Sequence, residues 1–345
     1  MIRAATEQAP WDAFLASCAP PTFLQSWAWG ETQRALGEDV VRFSAVEGTA
    51  VRGCAQAVTV TARRGKFLHV PHGPVIAGDR EQRTGNREQE TSAANTMREL
   101  VDALREEAKK RDCAFVRVSP MQERTTDTLR MYRENGFRPA PIYLHSENLW
   151  VLDVTSSEET LLQQMRKTTR NLIRRAEREQ VSVRLSHEEK DVEIFFRLYA
   201  ETVQREHFVP FSEKLIREEY RCFGSEQAVI GIAEQHGQPR AAALAIFTPW
   251  SGFYHHGASI RIGGQSPASY ALQWALIREA KRRGARFYNF WGIYPPTNKR
   301  YGITTFKTGF GGGEVSLVPT QDLPLSLRYW PAFALDTMRR WKRGL

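Results

Sequence analysis

Ala108-Lys-Lys-Arg-Asp-Cys-Ala-Phe115 and Ala280-Lys-Arg-Arg-Gly-Ala-Arg-Phe287 are near-copies that lie 172 residues apart. Each closes a helical pattern and opens a strand-like run. About twenty residues after each comes a Gly-Phe pair, Gly136-Phe137 and Gly309-Phe310, with an offset of 173, half of the 345-residue chain. A repeat of that period predicts one domain used twice. Length agrees, because 345 residues suit two domains of about 150 residues, each able to bury a core.

Composition narrows the class. Apolar residues make up 41% and charged residues 25%, ordinary for a soluble globular chain, and no apolar run approaches the roughly 18 residues that a membrane span needs. The first twenty residues contain Glu7 and Asp12 and no apolar core, so no secretory signal is expected and a cytoplasmic location follows. Cys18, Cys54, Cys113 and Cys222 lack any C-x-x-C spacing, which predicts buried thiols with neither a disulfide framework nor a zinc site. An excess of 48 Lys and Arg over 39 Asp and Glu, a net charge of +9, favours a polyanionic partner: nucleic acid, a nucleotide or an anionic membrane face.

Along the first half, the pattern predicts a turn at Pro20-Pro21, a helix from Ser26 to Leu36, and hairpin-connected strands at Val40 to Val46, Cys54 to Thr61 and Phe67 to Val70. Pro71-His-Gly-Pro74 ends that sheet. Residues 78 to 94 read as an exposed, mobile loop before a helix from Thr96 to Lys110 and a strand from Phe115 to Val118. A linker falls near Pro139 to Trp150, and a strand at Leu149 to Val154 opens the second half. There, helices are expected at 156–179, 189–205, 213–223 and 269–283, with strands at 228–233, 241–248, 253–258 and 287–291. Leu327 to Leu345 reads as a short basic and aromatic segment. The predicted boundaries are a first domain at 1–148, joined by 320–345, and a second at 149–319.

Three constellations could carry chemistry. Arg166, Lys167, Arg170, Arg174, Arg175 and Arg178 crowd one helical pattern, which suits either phosphate contacts of a nucleic acid or a solvated face balanced by Glu177 and Glu179. In Phe306-Lys-Thr-Gly-Phe-Gly-Gly-Gly313, one lysine sits between aromatics ahead of glycines that permit close backbone approach to a ligand. Its ammonium could hold a developing oxyanion in a water-poor cleft, or it could be a snorkelling lysine beside a hairpin. His255-His256 ends a predicted strand, with His69 and His72 at the matching place in the first half. No zinc spacing fits these histidines, no Asp or Glu stands close in sequence, and metal ligation is not expected. One of the two neighbours is expected to face a cleft. No G-x-S-x-G elbow, Walker loop or dinucleotide fingerprint is present, which argues against hydrolase, NTPase and dehydrogenase classes.

Helix, strand, then Tyr132-Arg-Glu-Asn-Gly-Phe137 resembles the C-terminal half of the GNAT acyltransferase fold, so the expected fold class is α/β with two GNAT-like domains related by internal duplication. Across most of its length the chain resembles the FemABX family of peptidoglycan-bridge aminoacyltransferases, in the compact form without a helical arm. The resemblance rests on Gln25-Ser-Trp-Ala-Trp29, Pro71-His-Gly-Pro74, Thr202-Val-Gln-Arg205 with Phe208, Tyr288-Asn-Phe-Trp-Gly292 and Gly302-Ile-Thr-Thr-Phe-Lys-Thr-Gly-Phe-Gly-Gly312. Asn289 stands where that family usually has an acidic residue.

The resemblance implies an enzyme that moves an amino acid from aminoacyl-tRNA, its co-substrate, to the side-chain amine of a UDP-linked or lipid-linked muropeptide precursor, with no cofactor and no metal. By position, Lys307 with its neighbour Phe306 would serve catalysis. Arg205 would meet the diphosphate, Tyr254 the peptide or sugar, and His256 and Trp29 further parts of the substrate. Arg34 takes the place of an expected phosphate-binding lysine. Arg166, Lys167, Arg170 and Arg174 would face tRNA. No stable protein partner is expected, and the basic tail Arg339-Arg-Trp-Lys-Arg343 suits peripheral contact with the inner membrane face. Two other classes fit less of the sequence. An acyl-CoA N-acyltransferase would need Arg261-Ile-Gly-Gly264-Gln-Ser266 as its pyrophosphate loop, and a non-catalytic RNA-binding module would use the basic helix alone.

Overall fold

The computed structural model describes residues 1–62, 65–78, 87–260 and 266–343. The chain divides into two compact units, Met1–Glu147 with Ser316–Leu345, and Asn148–Val315. Unit 1 runs β1 (Ile2–Ala4), α1 (Gln8–Cys18), α2 (Trp27–Ala35), β2 (Val40–Glu47), β3 (Ala50–Ala62), β4 (Gly65–Pro71), β5 (Val75–Ile76), α3 (Arg87–Lys110), β6 (Phe115–Ser119), α4 (Thr126–Glu134) and β7 (Arg138–Pro139). Unit 2 runs β8 (Asn148–Asp153), α5 (Glu158–Gln164), α6 (Lys167–Arg178), β9 (Ser182–Ser186), α7 (Lys190–Glu206), α8 (Glu213–Gln227), β10 (Ala228–Gln235), β11 (Gln238–Phe247), β12 (Ser251–Ser259), α9 (Pro267–Arg282), β13 (Phe287–Gly292), α10 (Tyr301–Thr308) and β14 (Gly313–Ser316). The chain then returns to unit 1 with β15 (Gln321–Pro324) and α11 (Tyr329–Arg343).

The two sheets share one plan. Unit 1 orders its strands β1-β2-β3-β4-β6-β15-β7, and unit 2 orders its own β9-β10-β11-β12-β13-β8-β14. In each, an antiparallel meander leads through a helix to a strand that pairs in parallel with the last meander strand, Phe67 opposite Phe115 and Ser251 opposite Phe287. The near-copied octets lie at these two helix-to-strand junctions. Their physical role is the same: a basic, polar last turn, then an apolar strand that enters the core.

Each helix that covers a sheet does so by periodicity. Met97, Leu100, Val101, Leu104 and Ala108 of α3 are fully buried against the unit 1 sheet, and Ala268, Leu272, Leu276 and Ala280 of α9 lie in the unit 2 core with Ala243, Ala245 and Phe290. The loop expected at 78–94 is corrected in part: 87–94 belong to α3, while 79–86 lie outside the described residues. Glu, Gln, Arg and Ala in that stretch favour helix without supplying an apolar stripe to read. The short segment expected at 327–345 is mostly the helix α11, and β9, α1 and α10 have no counterpart among the elements expected from the sequence.

The parallel ladders differ in length. In unit 1, β4 and β6 stay paired from Phe67–Phe115 to Pro71–Ser119. In unit 2, pairing stops at Phe253–Asn289, although β12 continues to Ser259. Past that point β13 turns away through Trp291, whose φ of 61° is left-handed, and its register with β8 shifts between Asn289 and Gly292. The strands part where Tyr254, His255 and His256 face Phe290, Trp291 and Gly292.

Candidate active site

Lys307 lies in the last turn of α10, buried at 8% exposure, and donates to the Gly292 carbonyl at 2.6 Å. Thr304, one turn earlier, grips the same exit of β13: its hydroxyl accepts from the Tyr294 amide at 2.7 Å and donates to the Tyr294 carbonyl at 3.0 Å. Arg166 adds a third tie by donating to the Thr305 carbonyl and to the Thr308 hydroxyl. A short helix is thereby fixed against the parting strands, and its lysine is aimed inward. Among the described residues Lys307 has no carboxylate partner within ion-pair reach, and burial pushes its ammonium down to about 7. At neutral pH such a group can hold a proton or give one up. The expected alternative of a snorkelling lysine beside a hairpin is corrected, since the residue is helical and enclosed.

Phe306 walls the site. Its ring meets Tyr270 at 5.1 Å, Phe310 at 5.3 Å and Tyr254 at 6.5 Å. Tyr254 lies over Gly257, where any Cβ would stand 1.8 Å from the phenol oxygen, and burial raises its hydroxyl to about 12, so it stays a neutral donor or acceptor. The glycines after Lys307 were expected to admit a ligand. Instead, Gly312 has φ of 91° and a Cβ there would lie 2.5 Å from the Val151 carbonyl, while the Gly311 carbonyl accepts from the Trp150 indole at 2.6 Å. These glycines let the backbone close onto β8.

The two histidines give a second correction. Residues adjacent in a strand should face opposite ways, but the β11–β12 register skips His255, pairing Leu244 with His256 and Ala245 with Tyr254. This bulge turns both imidazoles to one side, where Glu219 of α8 accepts from His255 at 2.9 Å and from His256 at 2.8 Å. A carboxylate does accompany the pair, from a distant helix. The three groups bring metal-competent atoms within 4.8 Å of one another, and His256 is nearly enclosed at 4% exposure with Phe211 at 5.0 Å. His256 is thus held between Glu219 and the Phe211 ring.

Burial pushes the Glu219 carboxyl up, but the charge and hydrogen bonds of the histidines outweigh this and hold it at about 2. Burial pushes the His256 imidazole down to about 4. In the unfolded chain these groups take up protons near 6.5 and 4.5, in the folded chain only near 4 and 2. Unfolding thus binds protons, and stability from the cluster is complete above about pH 6.5 and lost as the pH falls. Urea midpoints should drop between pH 7 and pH 4, and His256→Gln should flatten that slope, because the imidazole is the group that takes up a proton on unfolding in this range; parallel slopes for both proteins would refute the assignment.

Of the other candidates in unit 2, Arg205 ends α7 with Nη1 donating to the Ser259 carbonyl at 2.7 Å and Nε paired to Glu206 at 2.9 Å. The single basic helix expected at 156–179 is two helices, broken at Met165 and Arg166, both extended. Arg166 leaves the helix to hold α10, and Arg170 caps α5 by donating to the carbonyls of Met165 and, at 3.0 Å, Gln163. Arg175 pairs with Glu179 at 2.5 Å. Lys167, Arg174 and Arg178 remain exposed, at i, i+7 and i+11 on one face about 16 Å long.

In unit 1, Trp29 packs on Phe23 at 5.9 Å, and its buried indole N–H has no partner among the described residues. Arg34 is paired to Glu31 at 2.9 Å. The motifs Gln25-Ser and Pro71-His-Gly-Pro74 lock together: Gln25 donates to the Pro71 carbonyl at 2.6 Å and accepts from the Gln56 amide at 2.7 Å. Gly73 must be glycine there, since a Cβ would stand 2.8 Å from the Gln25 side chain. Of the suggested pyrophosphate loop, 261–265 lie outside the described residues.

Two sheets of one strand order, each with a helix-linked parallel pair, define a tandem GNAT-like fold. A tandem GNAT protein from the clavulanic acid biosynthesis pathway matches 94% of this chain and 98% of its own, with a TM-score of 0.56 and 10% identity. The chain belongs to the FemAB family, whose sequence model matches residues 144–246 and 230–333. The crystal structure of FemX has the same fold, with a TM-score of 0.83 over 97% of this chain and 99% of that one at 16% identity. Aminoacyltransferase FemA of Staphylococcus epidermidis is 28% identical over 92 residues, 25% of this chain and 22% of the relative's length. The chain thus matches about a fifth of that curated relative.

Proposed function

We propose that this chain is an aminoacyltransferase that moves an amino acid from the ester of an aminoacyl-tRNA to an amine on a peptidoglycan precursor. One observation carries the reading: a buried lysine with no acidic partner among the described residues, fixed by three ties at the place where β12 and β13 separate. In the reaction the amine nitrogen attacks the ester carbonyl, a C–N bond forms, and the C–O bond to the ribose breaks. The nitrogen sheds a proton and the ribose oxygen gains one. Lys307, charged below about pH 7, stabilises the developing oxyanion and can protonate the departing oxygen. Phe306 and Tyr254 keep water from the ammonium, which strengthens that attraction. The name of the curated relative, an aminoacyltransferase, supports the chemistry, and the motif resemblance to peptidoglycan-bridge enzymes is the reason for naming a cell-wall acceptor.

Arg205 is assigned to the precursor's diphosphate, and Trp29 and Arg34 are assigned substrate contacts within unit 1. Arg166 and Arg170 are positioning residues for α10 and α5, so the tRNA contact is reassigned to Lys167, Arg174 and, newly, Arg178. Replacing all three by glutamate should weaken tRNA binding and reduce its salt slope by about one for each phosphate that is no longer neutralised. Filter binding across a salt series measures this, and an unchanged slope would remove the helix from the interface. The reading as a whole is tested by transfer of a labelled amino acid from a panel of charged tRNAs to UDP-linked and lipid-linked muropeptides. No transfer to either acceptor from any tRNA would overturn it. Among the described residues no helix is long and apolar enough to cross a membrane; we place the protein in the cytoplasm, touching the inner membrane face.

A further inference from the structure

Helix α11 presents two apolar faces. Tyr329, Ala332, Phe333 and Asp336 recur at i, i+3, i+4 and i+7 and face the rest of unit 1, with Tyr329 and Ala332 buried beside Phe67 and Phe115. On the opposite side Trp330, Ala334, Met338 and Trp341 recur at i, i+4, i+8 and i+11, with Leu335 beside them. These are exposed: Trp341 at 86%, Met338 at 51%, Trp330 at 48% and Leu335 at 42%. Scattered exposed apolar residues are ordinary on a protein surface, but a continuous stripe with two tryptophans is not.

The stripe is held rigidly. Asp336, fully buried, bonds Arg117 at 3.0 Å, and the Arg138 guanidinium stacks on Trp330 at 4.8 Å and Phe333 at 4.7 Å. Its charges have one sign. Arg339, Arg340 and Lys342 are exposed, while the single acid of the helix, Asp336, is internal. A second copy of the chain would bring like charges together on this face; a lipid surface of negative charge meets both the apolar stripe and the cations.

We propose that this face of α11 docks on an anionic lipid bilayer, with Trp330, Met338 and Trp341 entering the boundary between headgroups and acyl chains and Arg339 and Lys342 meeting lipid phosphates. The inference deepens the functional reading by naming the surface that would meet a lipid-linked acceptor. It rests on that reading only for its purpose, since lipid binding is measured without transfer. The full chain is mixed with vesicles of phosphatidylcholine alone or with about one-third phosphatidylglycerol, and bound protein is sedimented. The expected result is salt-sensitive partition onto the anionic vesicles that falls at least about tenfold in Met338→Ser/Trp341→Ser. Transfer to a soluble acceptor should be unchanged in that variant. If the wild type binds and the variant does not while transfer is absent from both, the docking face stands and the functional reading fails. The proposal is overturned if the wild type ignores anionic vesicles, if the variant binds as well, or if the variant dissolves a dimer, which would make the face a self-interface.

Discussion

Lys307→Met is expected to abolish most aminoacyl transfer while making the chain more stable. Removing one preorganised donor to a developing oxyanion costs on the order of 10²–10³ in rate. The stability gain follows from the same burial. Unfolded, the lysine keeps its proton up to about 10.5; folded, it releases it near 7. Between those values the unfolded chain binds the extra proton and stability rises with pH, so the penalty of enclosing the charge is complete below about pH 7. Methionine has similar length and no charge to enclose, so its melting temperature should exceed that of wild type, most clearly in mild acid. The lost hydrogen bond to Gly292 offsets about 1 kcal/mol of this. In the wild type, single-turnover transfer should decline as pH rises through about 7, because the form proposed to react is the ammonium. Full activity in the methionine variant would take Lys307 out of the reaction, whatever its melting temperature.

Arg117→Met should produce the largest loss of stability. Arg117 lies directly across from Asp322 in the β6–β15 register, bonds both its carboxylate oxygens at 2.7 and 2.8 Å, and reaches Asp336 of α11 at 3.0 Å. All three are at most 1% exposed. Without the guanidinium, two carboxylates of like charge share a dry pocket, and breaking a buried pair in this way costs about 3–5 kcal/mol. Burial already pushes the Asp322 carboxyl up, with Arg117 drawing it back, so the variant should take up protons and lose its stability deficit as the pH is lowered. A variant that also carries Asp322→Leu and Asp336→Leu should regain most of the loss. Equal denaturation midpoints for wild type and Arg117→Met would show that the network contributes specificity alone.

The duplicated plan was legible because the helix-to-strand junction has a compact signature, a basic last turn followed at once by an apolar strand. Lys307 stood out through its aromatic neighbours and its likeness to a family motif. Glu219 did not. It is one of several glutamates in an ordinary amphipathic helix, 36 residues from His255, and only the bulge that turns both histidines to one side brings it into play. The basic cluster misled in a comparable way. Charge counting cannot tell Arg166 and Arg170, which hold backbone carbonyls, from Lys167 and Arg174, which face solvent, because that division depends on a helix break that no residue type announces. Trp330 and Trp341 were visible as an aromatic segment, yet the sidedness of α11 required knowing that Asp336 points inward.

β15 belongs to the first sheet but is made after all of unit 2. On the ribosome, β6 emerges about 200 residues before the strand and helix that neutralise Arg117, an interval of roughly 10–40 s at ordinary elongation rates. Until then the nascent first unit has an open sheet edge beside an unanswered cation, whereas 148–315 is contiguous and can complete itself. The second half of the chain can therefore fold on emergence, whereas the sheet of the first stays open until its own closing segment is made.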